Sequence, residues 1–296
     1  MSQDARDKLA AGDAPTLVIA PTPQNLRTLV GGWRRAGLSV ALVPTMGALH
    51  QGHLELVARA RAIADRVVVS IFVNPTQFAP TEDLARYPRT FEQDCAMLAA
   101  ARADVVYAPT ARDMYPDGFC TSVLLAGPAK VGLEDAVRPH FFAGVATVVA
   151  KLLLQCLPDA AIFGEKDYQQ LRVVSRMVQD LDIPVQIVGV PTVRENDGLA
   201  MSSRNRFLSA GDREKAVALS QALDYAALAI RKGTPIGTAL ASGREALNSS
   251  GAVLDYFEAR DADTLEAVES WSPARPLRLL VATRLGDTRL IDNVAV

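Results

Sequence analysis

Two of the three histidines in the chain, His50 and His53, lie three residues apart in the stretch PTMGALHQGHLEL. The stretch joins a predicted buried strand to a predicted helix. Both imidazoles therefore fall at a helix N-terminus, where unpaired N–H groups and the helix dipole favour a phosphate. A neutral imidazole can donate a hydrogen bond there, and a charged one can offset phosphate charge. Gly47 and Gly52 would leave room for a ligand beside the backbone. One buried structural histidine and one surface histidine is the alternative, but the pair favours a phosphate site.

A second polar cluster lies in SIFVNPTQF, where Asn74 and Gln77 come just after an apolar run. A glutamine amide donates and accepts hydrogen bonds at once, which suits a hydroxy acid. Turn formation by the Asn-Pro pair is the alternative explanation.

The third cluster, FGEKDYQQL, follows a short apolar run and contains Glu165, Lys166, Asp167, Gln169 and Gln170. Lys166 could bind phosphates as a point charge. The alternative is a polar helix start with Asp167 as the N-cap. That alternative explains Lys166 poorly, because a cation at a helix N-terminus opposes the dipole.

The fourth cluster, in VRENDGLAMSSRNRFL, brings together Ser202, Ser203, Arg204 and Asn205. Hydroxyls, a guanidinium group and backbone N–H groups could together hold a pyrophosphate. A solvated loop is the alternative.

The elements that must position these clusters alternate between strand and helix in the first two thirds of the chain. Apolar runs rich in β-branched residues predict buried strands, and apolar residues at helical spacing predict helices. The predicted strands are Ser39–Thr45, Arg66–Val73, Asp104–Pro109, Ala160–Phe163 and Val185–Val190, and the predicted helices are Leu54–Ala64, Thr90–Ala103, Gly144–Leu157 and Asp167–Leu181. This order predicts a parallel sheet covered on both faces, with ligands beyond the carboxyl ends of its strands.

The pattern changes after about Val193. Two alanine-rich helices are predicted, followed by strands with a hairpin turn. The helices are near Asp212–Lys232 and Thr238–Asn248, and the strands are Val253–Arg260 and Leu277–Val296 with the turn at Gly286–Asp287. We therefore expect a first domain at 1–192, with 1–14 as a flexible lead-in, and a smaller α+β domain at 193–296.

The composition bounds the function. A formal net charge of −2 gives no surplus of basic residues for a nucleic-acid partner. The longest apolar stretch, Val145 to Leu157, contains Lys151 and is too short to span a membrane. The N-terminus has no apolar core of a secretory signal. The three cysteines are too scattered for a disulfide framework or a zinc site. We therefore expect a cytoplasmic protein with no membrane and no nucleic-acid partner.

Six stretches taken in order resemble the pantothenate synthetase (pantoate–β-alanine ligase) family. They are PTMGALHQGH, SIFVNPTQF, YPRTFEQD, FGEKDYQQL, VGVPTVREND and GLAMSSRNRFL. The first is similar to the HxGH-type signature of nucleotidyltransferases and class I aminoacyl-tRNA synthetases, and GLAMSSRN to the KMSKS-like loop of that superfamily. The six together are specific, and the resemblance runs from about Leu17 to the end of the chain.

The resemblance implies an AMP-forming ligase of pantothenate and coenzyme A biosynthesis. The carboxylate of (R)-pantoate attacks the α-phosphate of ATP, giving pantoyl adenylate and pyrophosphate, and β-alanine then displaces AMP. It also implies a Rossmann-like domain followed by a smaller α+β lid domain, usually in a homodimer. Mg²⁺ would come with the ATP phosphates, and no dedicated protein metal site is expected.

The resemblance also implies roles for single residues. Those expected in catalysis are His53, which matches the family's proton donor, His50, Lys166, Ser202, Ser203 and Arg204. The expected ATP contacts are Met46, Gly47, His50, Gly52, His53, Gly164, Glu165, Lys166, Asp167, Val193, Met201, Ser202, Ser203 and Arg204. Gln77 and Gln170 would hold pantoate, and Gln77 would also lie near β-alanine.

The chain departs from the family pattern in two places. RPHFFAG stands where the family has RPGHF or RPTHF, so Phe141 takes the histidine position and His140 lies one residue earlier. Thr76 stands where methionine is common. We therefore do not place His140 in the site, and the pantoate pocket is expected to differ slightly.

Two other functions remain open at this point. Another HxGH nucleotidyltransferase would make a product that keeps the transferred nucleotide, whereas the ligase releases AMP when β-alanine is present. A nucleotide-binding regulator without catalysis would bind ATP tightly without turnover, although the intact polar clusters disfavour it. A tRNA synthetase is disfavoured because the chain is short and slightly acidic and has no room for an anticodon domain.

Overall fold

The computed structural model describes residues 17–78 and 83–296, with the side chain of Asp83 left out. The lead-in predicted at 1–14 lies outside these residues. Within them, no helix has both the length and the apolar character needed to cross a membrane.

The first domain is built on a six-stranded parallel sheet. Its strands are β1 (Val18–Ala20), β2 (Val40–Thr45), β3 (Arg66–Ile71), β4 (Val105–Tyr107), β5 (Ala160–Gly164) and β6 (Gln186–Val190), in the order β1-β4-β3-β2-β5-β6. The order changes direction between β2 and β5, which pair through Ala41 with Ala160 and Leu42 with Ala161 near their amino ends. A crevice at such a switch point is where ligands bind in open α/β sheets.

Helices cover both faces of this sheet. They are α1 (Pro23–Arg35), α2 (Gln51–Ile63), α3 (Phe91–Ala100), α4 (Ala111–Met114), α5 (Glu134–Val137), α6 (Phe141–Cys156) and α7 (Tyr168–Asp180). Alternate residues of β2 face opposite sides: Leu42 packs in one core with α1, α6 and α7, and Ala41 and Val43 pack in the other with α2 and α3. Each fully buried valine or leucine contributes about 1.5–3 kcal/mol relative to exposure.

The second domain has its own core and an antiparallel sheet. Its helices are α8 (Ala210–Ala216), α9 (Ala218–Arg231) and α10 (Ile236–Ser249), and its strands are β7 (Val253–Asp261), β8 (Leu277–Leu285) and β9 (Thr288–Ala295), in the order β7-β8-β9. Helix packing on one face of the sheet encloses a separate apolar cluster. The predicted fold class, a parallel α/β domain with a smaller α+β domain, is confirmed.

Most predicted elements are present, and the differences include missed elements and shifted or divided helices. The sequence prediction missed β1 and α1, although Thr22 caps α1 by accepting a hydrogen bond from the Asn25 N–H group and Pro23 begins it. The helix predicted from Leu54 begins three residues earlier, because His50 is its N-cap. The single helix predicted over 212–232 is divided at Val217, whose φ of −61° and ψ of −25° stay close to helical values.

Candidate active site

The two histidines form a reciprocal cap at the start of α2. His50 Nδ1 accepts a hydrogen bond from the Gly52 N–H group at 3.2 Å, and His53 Nδ1 accepts one from the His50 N–H group at 3.3 Å. The ring centroids are 4.1 Å apart. Because both Nδ1 atoms are acceptors, each neutral ring carries its hydrogen on Nε2. Nε2–H groups are therefore the donors available for a ligand.

Burial and nearby cations keep these rings neutral. Burial, followed by the charge of Lys166, lowers the pKa of His50 to about 4. Burial, followed by His50 and then Lys166, lowers the pKa of His53 to about 3. Of the two forms considered from the sequence, the neutral hydrogen-bond donor is the one this environment favours near pH 7.

The depressed values predict that acid destabilises the fold through this pair. An unfolded histidine binds a proton near pH 6.5, whereas the folded rings bind one near pH 4 and 3. The free energy of unfolding should therefore fall as the pH drops from about 6.5 towards 4. Denaturant titrations across this range should show a shallower fall in His53→Gln, which keeps a side-chain acceptor at the same helix position. The matched control is His140→Gln, at an exposed position. An unchanged slope in His53→Gln would show that the pair does not contribute.

A buried carboxylate holds the turn before His50. Asp94, 1% exposed, accepts hydrogen bonds from the Ala48 and Leu49 N–H groups, both at 2.9 Å. Gly47 has φ of +78°, and a Cβ there would lie 3.0 Å from Asp94 Oδ2 and 3.1 Å from Ile71 Cγ2. A side chain at position 47 would therefore meet Asp94 and Ile71, which explains why glycine stands there. Sequence reasoning missed Asp94, whose only signal was its place in YPRTFEQD.

The amide of Gln77 is held in one orientation. Asn74, 1% exposed, donates from Nδ2 to Gln77 Oε1 at 3.1 Å, while Gln77 Nε2 lies 3.0 Å from Met46 Sδ. Asn74 Oδ1 also accepts from Tyr115 Oη at 2.7 Å. Since Oε1 is occupied, Gln77 presents its N–H group to the cavity, as a donor to an acceptor-rich ligand.

Helix α6 approaches this turn closely at Gly144. A Cβ there would lie 2.5 Å from the Thr76 carbonyl oxygen and 2.9 Å from the Gln77 backbone nitrogen. The Gly144 carbonyl oxygen also accepts from Asn74 Nδ2 at 3.3 Å. The position of Gln77 therefore depends on a glycine in the neighbouring helix.

The Lys166 cluster forms a single turn of 3₁₀ helix, Glu165–Asp167, between β5 and α7. Lys166 Nζ lies 3.6 Å from Asp167 Oδ1, and the lysine side chain is 19% exposed. Asp167 is the N-cap residue of α7, but its side chain makes no capping hydrogen bond. Glu165 pairs with Arg278 at 3.1 Å and does not line the cavity. We do not retain the contact with ATP that was predicted for Glu165.

The Ser202 cluster lies on a loop at the start of the second domain. Ser202 Oγ accepts a hydrogen bond from the Arg204 N–H group at 3.2 Å and caps the 3₁₀ turn Ser203–Phe207. Asn205 Nδ2 donates to Glu195 Oε1 at 2.8 Å and to the Ala200 carbonyl oxygen at 3.1 Å. The Asn205 side chain thus stabilises the loop by hydrogen bonds to residues that precede it in the sequence.

The clusters meet around a cavity of about 210 Å³ that adjoins an interdomain cleft of about 760 Å³. The predicted site residues that line the smaller cavity are Met46, His50, Gly52, His53, Gln77, Gly164, Lys166, Asp167, Gln170, Val193, Met201, Ser202, Ser203 and Arg204. Its apolar wall, which sequence reasoning did not assign, comprises Phe72, Val145, Val148, Val149, Leu152 and Phe163. The cavity therefore combines hydrogen-bond donors and cations with an apolar face.

The departures from the family pattern fall beside this site. Phe141 lies under Arg138, whose guanidinium carbon is 3.6 Å from the ring centroid, and both residues line the cleft. His140 is exposed and lies outside both the cleft and the cavity. Thr76 Oγ1 donates to Asn74 Oδ1 at 3.0 Å, so Thr76 supports the residue that orients Gln77. Arg138 was missed because RPHFFAG gave no reason to single it out.

Comparison with known proteins gives a consistent result. The family model described as pantoate-beta-alanine ligase matches residues 18–295. Pantothenate synthetase of Rhodopseudomonas palustris is 55% identical over 94% of this chain and 98% of its own length, and pantothenate synthetase 2 of Bradyrhizobium diazoefficiens is 57% identical with the same coverage.

Two solved structures extend the comparison to the fold. Pantothenate synthetase from Thermus thermophilus is 48% identical, with a TM-score of 0.87 over 94% of this chain and 99% of that one. Pantoate-beta-alanine ligase from Francisella tularensis, complexed with beta-gamma ATP and beta-alanine, is 34% identical, with a TM-score of 0.79 over 94% of this chain and 97% of that one.

Proposed function

The chain belongs to the pantoate–beta-alanine ligase family, and from this we propose that it condenses (R)-pantoate with β-alanine through a pantoyl-adenylate intermediate. The pantoate carboxylate forms a bond to the α-phosphorus of ATP and pyrophosphate leaves. The β-alanine amine then attacks the acyl carbon, and AMP leaves with the bonding electrons. The product is pantothenate, for coenzyme A biosynthesis. The observation that carries the proposal is one cavity bringing together His50, His53, Lys166 and the Ser202–Arg204 loop.

We assign ATP to the side of the cavity formed by the histidines, Lys166 and the Ser202 loop. The Nε2–H groups of His50 and His53 would donate to phosphate oxygens, while Lys166 and Arg204 would offset their charge. Phosphate anions nearby would raise the histidine pKa values, so His53 could also supply a proton. The remaining proposed nucleotide contacts are Met46, Gly52, Gly164, Asp167, Val193, Met201, Ser202 and Ser203.

We assign pantoate to the side of the cavity that carries Gln77, Gln170 and the apolar wall. The amide N–H group of Gln77 suits the carboxylate or hydroxyl oxygens of pantoate, and the wall suits its two methyl groups. β-Alanine would approach past Gln77 from the interdomain cleft, whose walls Gln77 also lines.

Mg²⁺ is proposed to enter with ATP. Asp167, beside Lys166, is the one acidic residue of the third cluster that lines the cavity. In residues 17–78 and 83–296, no group of three or more acidic, histidine or cysteine side chains is placed to hold a metal ion. The phosphates would supply most of its ligands, as Mg²⁺ often requires.

We further propose a domain boundary near Val193, a second domain that closes over ATP as a lid, a homodimer and a cytoplasmic location. The Ser202 loop, at the start of the second domain, lies on the cavity, which supports the lid. The segment 119–126 lies in no helix or strand, and Leu124 within it is 78% exposed, which supports a partner copy. All three cysteines are free, as a reducing compartment favours.

The test of the reaction is pantoate-dependent exchange of labelled pyrophosphate into ATP without β-alanine. We expect exchange that requires pantoate, and AMP release that requires β-alanine as well. A product that retains the nucleotide would indicate another nucleotidyltransferase. ATP binding without exchange would indicate a regulator without catalysis.

Replacing Gly144 with alanine should weaken pantoate binding through Gln77. The added methyl group would overlap the Thr76 carbonyl oxygen at 2.5 Å, so the turn that carries Gln77 must move. We expect the pantoate KM to rise by about 10-fold or more while the ATP KM changes little, since a 1 Å misplacement can cost about 100-fold. Gly237→Ala, where a Cβ would have open space in another helix, is the control. Equal rises in both KM values would contradict a selective effect on pantoate.

A further inference from the structure

The last strand of the second domain reaches into the first domain and contacts the Lys166 turn. Asn293, on β9, is 3% exposed. Its Nδ2 atom donates to the Glu165 carbonyl oxygen at 2.9 Å and to the Lys166 carbonyl oxygen at 2.8 Å. One amide group therefore uses both of its hydrogens on two consecutive carbonyls of the turn.

The orientation of this amide is fixed by Arg278 on the neighbouring strand β8. Arg278 Nε donates to Asn293 Oδ1 at 2.6 Å, and its Nη2 donates to Glu165 Oε2 at 3.1 Å. The guanidinium also lies over the Tyr168 ring, 4.1 Å from the centroid. Because Oδ1 faces a cation, the amide cannot rotate to present oxygen to the two carbonyls without a large electrostatic cost.

The turn is a short connection between β5 and α7. It is three residues long, and the Asp167 side chain does not cap the following helix. A short 3₁₀ turn has poor internal hydrogen-bond geometry. The Asn293 amide therefore adds two hydrogen bonds from the other domain to the backbone that carries Lys166.

We infer that Asn293 is a positioning residue that holds Lys166 at the phosphate site. Arg278 locks the Asn293 amide, Asn293 fixes the Glu165 and Lys166 carbonyls, and the fixed backbone directs the Lys166 side chain. The second domain thereby contributes to the site at a point distinct from the Ser202 loop. The inference rests on the proposed function only in the identity of the ligand, ATP.

The test is a double-mutant cycle between Asn293→Asp and Lys166→Met. Asn293→Asp keeps the shape and the acceptor for Arg278 but removes both hydrogens that face the carbonyls. Alone, Asn293→Asp should lower kcat/KM for ATP in pyrophosphate exchange by about 10- to 100-fold, as loss of a residue that supports a metal ligand does at metal sites. In the Lys166→Met background, Asn293→Asp should lower kcat/KM for ATP by less than about 2-fold, because the lysine that Asn293 positions is already absent.

Equal losses in the two backgrounds, or full activity in folded Asn293→Asp, would overturn the inference. Arg231→Ala is the matched control, since it removes a hydrogen bond to β9 at Ala295 without touching the turn, and it should leave exchange unchanged. If Asn293→Asp does not fold, Arg278→Lys serves instead: it keeps the charge but not the paired donors, and the same non-additivity is expected.

Calorimetric ATP affinity, measured in the same cycle, separates this inference from the proposed function. If the wild-type chain binds ATP but shows no exchange, the proposed reaction fails. Non-additive losses of ATP affinity would still support the positioning role, and additive losses would overturn it.

Discussion

Replacing His53 with alanine should lower pantoate-dependent pyrophosphate exchange by about 10²- to 10³-fold, the loss typical of removing one preorganised donor from a reacting centre. The Nε2–H group of His53 would donate to the phosphates, and alanine leaves no donor in its place. The effect should appear mainly in kcat, because the hydrogen bond gains most as charge moves onto the leaving pyrophosphate.

The same substitution removes a capping acceptor, so its cost in stability has to be measured separately. We expect a loss of about 1 kcal/mol in the free energy of unfolding. Thr110→Ala is the matched control, because Thr110 and Asp113 form the same reciprocal cap on α4, away from the cavity. The control should lose comparable stability and keep full exchange. Near-normal exchange in folded His53→Ala, whatever its loss of stability, would refute the proposed role.

Replacing Lys166 with methionine should have the second-largest effect. Methionine keeps much of the length of the side chain but removes the cation that would face the phosphates. We expect exchange to fall by about 10²-fold or more, with a higher ATP KM. Loss of the lysine charge should also raise the pKa of His50 and of His53, because Lys166 helps to lower both. Histidine NMR titrations with and without the substitution would measure that rise.

A charge-matched control distinguishes a local effect from a general one. Lys215, on α8, is exposed and outside both the cavity and the cleft. Lys215→Met should leave exchange and the histidine titrations unchanged. If Lys166→Met retained wild-type exchange, the cation would have no part in the reaction.

The sequence predicts the strands and the clusters at their carboxyl ends well, because both signals are local. A run such as SVALVPT identifies a buried strand, and HQGH identifies a polar helix start, without knowledge of the rest of the chain. Parallel strands then bring these ends to one edge of the sheet. The shared cavity of His50, Gln77, Lys166 and Ser202 follows from that rule and from the family resemblance.

The residues that hold those clusters could not be predicted in the same way. Asp94 acts through buried hydrogen bonds to the Ala48 and Leu49 N–H groups, which only the tertiary fold brings near it. Asn74 was named in the second cluster, but its hydrogen bond from Tyr115 likewise depends on the tertiary fold. Gly47 illustrates the difference: the sequence shows a glycine at a strand–helix turn, but only the fold shows that Asp94 lies where its Cβ would be. The short edge strand β1 was missed because three residues give too little pattern.

The bond between Asn293 and the lysine turn also bears on the order in which the enzyme is made. Asn293 lies 128 positions after Glu165 and 127 positions after Lys166 in the sequence. During translation the parallel sheet has its last strand once Val190 has emerged, and about a hundred residues remain before Asn293 follows. At about 5–20 residues per second, that interval is about 5–20 s. A nascent chain can therefore contain the complete parallel sheet, His50 and His53 before Asn293 has formed its hydrogen bonds to the Lys166 turn. Nucleotide chemistry should then begin only when the second domain has folded.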